Sequence, residues 1–98
     1  MCFISKKYNK RILSSRYYKF ATGTRIFNLF PRKENQNEII INITHISGNI
    51  DIVLLNNDNE KQISIKESST YKFNLKLNNH YKLKLILKKH SGNYQIYY

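Results

Sequence analysis

The chain of 98 residues contains one cysteine, one proline, three glycines and no tryptophan. A single cysteine excludes a disulfide within the chain and a zinc site built from several thiolates. Stability must therefore come from packing, and a chain of this length forms one domain with a modest core. No apolar run approaches the roughly 18 residues that a membrane-spanning helix requires, so no such helix is predicted.

Motifs for catalysis and metal binding are also missing. The three histidines, His45, His80 and His90, have neither HxH nor HExxH spacing. No G-x-S-x-G motif or phosphate-binding glycine loop occurs, and residues 57–60 lack the residue order of a calcium loop. We therefore expect no catalytic residue, no metal and no cofactor, and a protein that is not an enzyme.

The first residues do not form a secretory signal, because no apolar stretch of roughly 7–15 residues follows the initial basic positions. With Met1 as the natural start, the chain is expected in the cytoplasm. If a signal has been removed ahead of Cys2, the expected location is instead the cell envelope or the extracellular space.

The net charge of +11 is concentrated in the first third of the chain. Residues 1–33 carry nine Lys and Arg and no acid, whereas residues 34–98 carry eight Lys and six acids. A basic segment of this kind favours anionic partners. The Lys-, Asn- and Ile-rich composition is also typical of an AT-rich genome, which weakens that interpretation.

Two-residue alternation of apolar and polar side chains dominates from Glu38 onward. Ile39 and Ile43 share one face of the first strand, and Ile50 and Leu54 share a face of the next. Turns are predicted at residues 47–49, 56–60, 67–70, 78–79 and 90–93. The resulting spacing predicts an all-β fold, a small antiparallel β-sandwich of about seven or eight strands.

The front third is less regular. Residues 17–21 and 25–30 flank Thr22-Gly23-Thr24 and are predicted as a hairpin. Residues 5–16 are expected to form either a short amphipathic helix or a disordered arm. The predicted organisation is a basic N-terminal arm or tether over 1–16 and one β-sandwich domain over 17–98. The uncharged last strand, residues 94–98, is expected to be paired internally or used for dimerisation.

Cations alternate with aromatic residues along the first third of the chain. This mixture suits nucleic acid, where cations contact phosphates and rings stack on bases. It also suits an anionic membrane surface, and it suits an ordinary strand whose rings fill the core while its cations face water. The candidate contact residues are Lys6, Lys7, Lys10, Arg11, Arg16, Lys19 and Arg25.

The order of features from Tyr17 to Tyr98 resembles that of small, poorly characterised β-sandwich domains of the envelope of low-GC Gram-positive bacteria, many of them lipoproteins. The matching stretches are residues 20–23, 38–44, 48–55, 57–60, 81–85 and 91–97. The resemblance covers about four fifths of the chain and implies no catalytic or ligand-binding residue. It implies that Cys2 is a lipidation site ahead of a basic tether, although the sequence has no signal and no lipobox.

The resulting functional hypothesis is a non-enzymatic binding or structural module of the bacterial cell envelope, with an anionic membrane surface or an envelope component as partner. Its sheet is expected to present a lysine-bearing face formed by Lys72, Lys76, Lys82 and Lys84. The alternative is a nucleic-acid-binding β-domain that uses the basic, aromatic first third. A third hypothesis is a structural or toxin-neutralising interaction protein.

Overall fold

A computed structural model of the chain describes residues 4–5, 8 and 10–98. The described residues form an all-β fold with no α-helix, and a 3₁₀ turn (Glu34–Gln36) lies between the second and third strands. The strands are β1 (Ile4–Ser5), β2 (Lys10–Leu29), β3 (Glu38–Asn56), β4 (Asn59–Ile65), β5 (Ser69–Asn74) and β6 (Tyr81–Tyr97).

All strand pairs are antiparallel, in the order β1-β2-β6-β3-β4, with β5 also paired to β3. β6 lies between β2 and β3 and pairs with both over most of its length. β5 pairs with residues 38–43 of β3 and β4 pairs with residues 50–56. The two short strands therefore share the edge of β3 that faces away from β6.

The three long strands must bend. Strands of 17 to 20 residues would span about 53–63 Å if straight. The largest extent of the molecule is 36 Å, and the other two extents are 34 Å and 21 Å. The pairing register shifts on all three strands at one level, which supplies the bends because bulges bend and twist a strand.

We call this level the bulge band and define it as residues 18–23 of β2, 45–49 of β3 and 88–92 of β6. β3 and β6 approach each other very closely there. A Cβ atom at Gly92 would lie 1.9 Å from the carbonyl oxygen of Thr44, and one at Gly48 would lie 2.0 Å from that of Lys89. Both glycines also have positive φ, so no other residue fits without displacing backbone.

The bulge band replaces three predicted turns. Residues 22–24, 47–49 and 90–93 do not reverse the chain but lie within β2, β3 and β6. Residues 17–30 are thus one strand and not a hairpin. The predicted count of seven or eight strands divided each long strand in two. β2 also begins at Lys10, so residues 10–16 belong to the sheet and not to an arm.

Two further predictions concern β6. Asn78 and Asn79 do not link a hairpin, because β5 and β6 lie on opposite edges of β3. The link is held instead by its backbone, with Asn78 N–H donating to the carbonyl oxygen of Pro31 at 2.7 Å. The expected internal pairing of residues 94–98 is confirmed for Tyr94 to Tyr97, which pair with both β2 and β3.

The main buried cluster follows the predicted alternation, but Ile40 and Val53 on the opposite face are buried as well. Ile39, Ile41 and Ile43 are buried at odd positions before the bulge band, and Ile50 and Ile52 at even positions after it. The shift from odd to even positions takes place within the band, where β3 has one extra residue between His45 and Ser47. Residues from both sides of the band belong to one buried cluster, so the strand halves contribute to a common core.

Candidate functional site

Four of the predicted contact residues are exposed on β2. The structure places the side chains of Arg11, Arg16, Lys19 and Arg25 in solvent. No ion pair joins these four cations to a carboxylate within the described residues. Lys6, Lys7 and Cys2, which were predicted to contact a partner or carry a lipid, lie outside the described residues.

Lys10 differs from the other predicted contact residues because it is buried, with 7% of its surface exposed. Its Nζ donates a hydrogen bond to the backbone carbonyl of Asn35. Burial lowers the pKa of Lys10, and the nearby carboxylate of Glu38 opposes that shift. Lys10 therefore holds the start of β2 against the 3₁₀ turn and does not belong to the exposed set.

The charge of the sheet is asymmetric. β2 and β6 together carry nine Lys and Arg and no acid. β3, β4 and β5 together carry three acids and two lysines. An anionic partner is therefore attracted to the β2–β6 side. The predicted lysine-bearing face is divided between the two sides, since Lys82 and Lys84 lie on β6 while Lys72 lies on β5.

Three apolar side chains are exposed at or beside the bulge band. Phe20 is 73% exposed, Tyr17 is 66% exposed and Ile46 is 63% exposed, more than any other large apolar residue described. We call these three residues the ridge. β6 separates Phe20 on β2 from Ile46 on β3, a spacing of about 10 Å for two strands. Exposed apolar side chains grouped in this way mark interaction surfaces.

The ridge has strained backbone and cations around it. Phe20 has φ of 50° and Lys89 has φ of 49°, which is rare for bulky residues. Such conformations cost of the order of 1–3 kcal/mol each and are concentrated at functional sites. Lys19, Lys88 and Lys89 are exposed in the same band. The ridge thus combines apolar side chains with positive charge.

A hydrogen-bonded chain of three side chains lies in the same band and joins the three long strands. The hydroxyl of Tyr18 on β2 is 2.8 Å from Nδ1 of His90 on β6. Nε2 of His90 is 3.0 Å from Nδ1 of His45 on β3. His90 is completely buried, whereas Tyr18 and His45 are half-buried. We call these three residues the relay.

Burial changes the acid–base properties of the relay. Burial lowers the pKa of His90 below its ordinary value, and the neighbouring His45 lowers it further. Burial also raises the pKa of Tyr18 to about 12, with a contribution from Tyr94, whose ring centroid is 5.9 Å from that of Tyr18. Burial therefore favours the neutral forms of Tyr18 and His90.

Backbone amides close to the relay are bound by hydroxyl side chains. Phe20 N–H donates to Ser91 Oγ at 3.0 Å, and His45 N–H donates to Ser68 Oγ at 2.9 Å. Lys89 N–H donates to Thr22 Oγ1 at 3.0 Å. These bonds satisfy amides that the irregular register removes from the regular ladder. The conformation of the bulge band therefore depends on side chains from three parts of the chain.

A cleft of about 400 Å³ lies at the other edge of the sheet, between the β3–β4 hairpin and the chain that follows β5. Leu54, Leu75 and Tyr81 contribute apolar surface, and Asn56 and Asn74 contribute amides. The Oδ1 atom of Asn56 is buried without a hydrogen-bond partner among the described residues. The cleft lies away from β2 and from the lysines of β6. The strand residues that line it belong to β3, β4 and β5, together with Tyr81 at the start of β6.

Within the described residues, no three His, Cys, Asp or Glu side chains are placed to hold a metal ion. The same part of the chain contains no helix with the length and apolar character needed to cross a bilayer. Comparison of the sequence with known protein families and with curated proteins gives no match.

The sequence predicted the cations of β2 but neither the ridge nor the relay. His45 and His90 are 45 positions apart, and only the register between β3 and β6 brings them together. One local signal was present for the ridge, because Ile46 interrupts the alternation between His45 and the glycine-containing segment that follows. Phe20 and Tyr17 could equally have been core residues, since aromatic side chains are typical of both environments.

Proposed function

We propose that the chain is a non-enzymatic binding module of the bacterial cell envelope that attaches to an anionic membrane surface through the ridge and its surrounding cations. The observation that supports this proposal is the exposure of Phe20 and Ile46 within a band that also carries Lys19, Lys88 and Lys89. Apolar side chains enter the boundary between headgroups and acyl chains, while cations contact the anionic headgroups.

The aliphatic member of the ridge favours a membrane over a polynucleotide. Ile46 is 63% exposed. An aliphatic side chain gains about 1.5–3 kcal/mol when it leaves water for an apolar environment, whereas nucleic acids gain affinity from aromatic stacking and cations. Each Lys or Arg close to an anionic bilayer adds about 1 kcal/mol.

We also propose that the bent sheet closes into a two-layer sandwich, with the halves of β2, β3 and β6 on either side of the bulge band in different layers. β5 then completes one layer and β4 the other. The common buried cluster and the smallest molecular extent of 21 Å support this arrangement, since stacked sheets lie about 10 Å apart. Methyl NOEs between Ile39 or Ile96 in one layer and Leu54 or Leu83 in the other test it. Their absence would leave a single bent sheet.

Vesicle co-sedimentation tests the membrane proposal. We expect the full chain to bind vesicles of phosphatidylcholine and phosphatidylserine and to bind pure phosphatidylcholine much more weakly. The double variant Phe20→Ser/Ile46→Ser should lose about tenfold or more in affinity for the anionic vesicles, because two apolar side chains no longer enter the interface.

Ile26→Ser is the matched control for that experiment. Ile26 is an exposed isoleucine on β2 but lies outside the bulge band. We expect this variant to keep most of the affinity of the wild type. Equal losses in both variants would show that the ridge is not the contact surface, and no binding by the wild type would overturn the membrane proposal.

Nucleic-acid binding is the second candidate function. It is favoured by the exposed rings of Tyr17 and Phe20 on the strand that carries Arg16, Lys19 and Arg25. The affinity should then fall steeply as the salt concentration rises. Each phosphate contact should add about one unit to the slope of log affinity against log salt concentration. The variant Arg11→Ala/Arg16→Ala/Arg25→Ala should reduce that slope. Binding of DNA and RNA that is absent or independent of salt would exclude this function.

The envelope location and the lipidation of Cys2 are part of the first proposal and rest on the resemblance to envelope lipoprotein domains. The intact mass of the protein purified from its host, with detergent partitioning, tests both. A chain that begins at Cys2 with added lipid mass would support an envelope lipoprotein. An unmodified, water-soluble chain that begins at Met1 would contradict lipidation and make the salt titration with nucleic acid the next experiment.

A further inference from the structure

Each half-buried member of the relay is next to a ridge residue in the chain. Tyr18 follows Tyr17 on β2, and His45 precedes Ile46 on β3. Successive side chains of a strand point to opposite faces. Tyr18 and His45 accordingly contact buried His90, while Tyr17 and Ile46 are exposed. A change in the relay therefore acts on the backbone that carries the ridge.

The relay accepts one proton by reversing its hydrogen bonds. In one of the two neutral arrangements that these distances allow, the hydroxyl of Tyr18 donates to Nδ1 of His90, and Nε2–H of His90 donates to Nδ1 of His45. When His45 is protonated at Nδ1, it donates to Nε2 of His90, whose proton then lies on Nδ1 and is donated to the oxygen of Tyr18. Both hydrogen bonds survive this reversal, and the added charge lies on half-buried His45.

A second proton breaks the relay. With both imidazoles protonated, N–H of His45 and N–H of His90 face each other across a separation of 3.0 Å. Neither group is an acceptor, and the two positive charges repel. The relay then opens by moving His45, which is the imidazole already in contact with solvent.

The charged side chains that β2 and β6 carry in the bulge band are cations. β2 contributes Tyr18 and exposed Lys19, and β6 contributes Tyr94 together with exposed Lys88 and Lys89. β3 contributes His45 itself. The segment before β5 contributes Ser68, which binds the His45 amide, and exposed Glu67 is next to Ser68 in the chain.

We propose that the relay makes attachment to anionic membranes sensitive to pH, with acidification strengthening the contact made by the ridge. Protons taken up by the relay on acidification add positive charge next to the ridge. They also loosen the bulge band, so that Phe20 and Ile46 can enter the interface more deeply. This inference rests on the membrane attachment proposed above, and it adds the condition under which attachment is strong.

Measurements on the protein without membranes test the first step, which is whether protons enter the relay and loosen the bulge band. NMR titration of the histidine rings should show the signals of His45 and His90 changing over the same pH range. Amide hydrogen exchange, corrected for the intrinsic effect of pH, should become faster at acidic pH for Phe20, His45 and Lys89, whose N–H groups are bound by hydroxyl side chains. Independent titration of the two rings, or unchanged protection of these amides, would overturn the proposal.

Binding to vesicles of phosphatidylcholine and phosphatidylserine, compared at about pH 5 and about pH 7.5, tests the second step. One or two added charges should tighten binding by about five- to thirtyfold. His45→Gln should remove most of that dependence, and Tyr18→Phe should alter it while retaining the histidines. His80→Gln is the matched control, because His80 is exposed and packs against Phe30 outside the relay.

The outcomes separate the two proposals. Binding of the same strength at both pH values would overturn pH control and leave membrane attachment standing. A pH dependence that persists in His45→Gln, or one that disappears in His80→Gln, would also overturn the role of the relay. No binding at either pH would overturn both proposals.

Discussion

Arg16 lies directly opposite Tyr94 in the register between β2 and β6, so the two side chains share one face of the sheet. Tyr94 is 1% exposed and belongs to the core, yet Arg16 is exposed. Arg25 stands in the same relationship to Leu85. Both arginines thus lie on the core-facing side of a strand whose second edge is unpaired over residues 12–29 within the described chain, and their side chains still reach solvent. Charges on the inward face of an edge strand are a known means of preventing that edge from pairing with another chain.

Replacement of these arginines should cause self-association. We expect Arg16→Ile/Arg25→Ile to form dimers or larger species, because the desolvation of two charges no longer opposes pairing along β2. Size-exclusion chromatography with light scattering measures this. Thr24→Ile is the control, since Thr24 adjoins Arg25 but faces the opposite side of the sheet. If both variants associate to the same extent, the added apolar surface alone explains the effect, and the two arginines do not protect the edge.

Acidification should destabilise the fold through His90. Its pKa is lowered in the folded state by burial and by His45, so below about pH 6.5 the unfolded chain binds the proton more readily than the folded chain does. The free energy of unfolding should have its highest value above that pH. It should fall as the pH decreases toward the pKa of His90 in the folded state. Urea unfolding at several pH values measures it. His80→Gln should keep this dependence and His90→Gln should lose it.

Alkaline pH should also destabilise the fold, in this case through Tyr18. Its pKa is raised to about 12 in the folded state, so the stability that it contributes is present below about pH 10 and is lost as the pH rises toward 12. Tyr18→Phe should remove this loss and also cost about 1–2 kcal/mol at neutral pH, because His90 Nδ1 loses its partner. Tyrosinate absorbance and urea unfolding give the two readings. An unchanged alkaline profile would contradict the assignment.

Two glycine substitutions should differ greatly in cost. Gly92 and Gly23 both have positive φ, at 153° and 144°, so alanine is strained at either position. A Cβ at Gly92 would also lie 1.9 Å from the carbonyl oxygen of Thr44, whereas one at Gly23 would meet nothing within 4 Å. We expect about 1–3 kcal/mol for Gly23→Ala and several kcal/mol for Gly92→Ala. Thermal unfolding compares them, and similar melting temperatures would contradict the close approach of β3 to β6.

Replacing Asn56 should stabilise the protein. The Oδ1 atom of Asn56 is buried without a hydrogen-bond partner in the part of the chain that the structure describes, and an apolar side chain of similar size removes the cost of burying it. Asn56→Leu should raise the free energy of unfolding by about 1 kcal/mol. Asn74→Leu is the control, because Asn74 lines the same cleft but is exposed. A loss of stability in Asn56→Leu alone would show that the amide has a structural partner.

The sequence predicted the side-chain faces of the strands better than their connections. The buried positions Ile39, Ile43, Ile50 and Ile52 follow directly from the two-residue period. The segment 47–49 was predicted as a turn because a turn and a bulge both use glycine with positive φ. A turn and a bulge differ in which strand pairs with the residues after the glycine. Here that strand is β6, which begins more than thirty positions later.

For the candidate site too, the sequence predicted properties of single residues but not contacts between distant parts of the chain. The exposed cations Arg11, Arg16 and Lys19 were predicted because charge is a property of single residues, which the sequence gives directly. Burial of Lys10 depends on the carbonyl of Asn35, 25 positions away. The relay depends on two separate strand registers, so no local pattern of residues contains it.

The position of β6 between β2 and β3 has a consequence for biosynthesis. On the ribosome, β2 is complete at Leu29, but 51 residues separate it from Tyr81, the first residue of its partner. β2 therefore leaves the exit tunnel long before β6 exists, with its apolar side chains and both edges unprotected. The sheet cannot grow strand by strand in the order of translation. Neither β2 nor β3 can complete its pairing until β6, which lies between them, has been made, so both strands have an unpaired edge on the nascent chain.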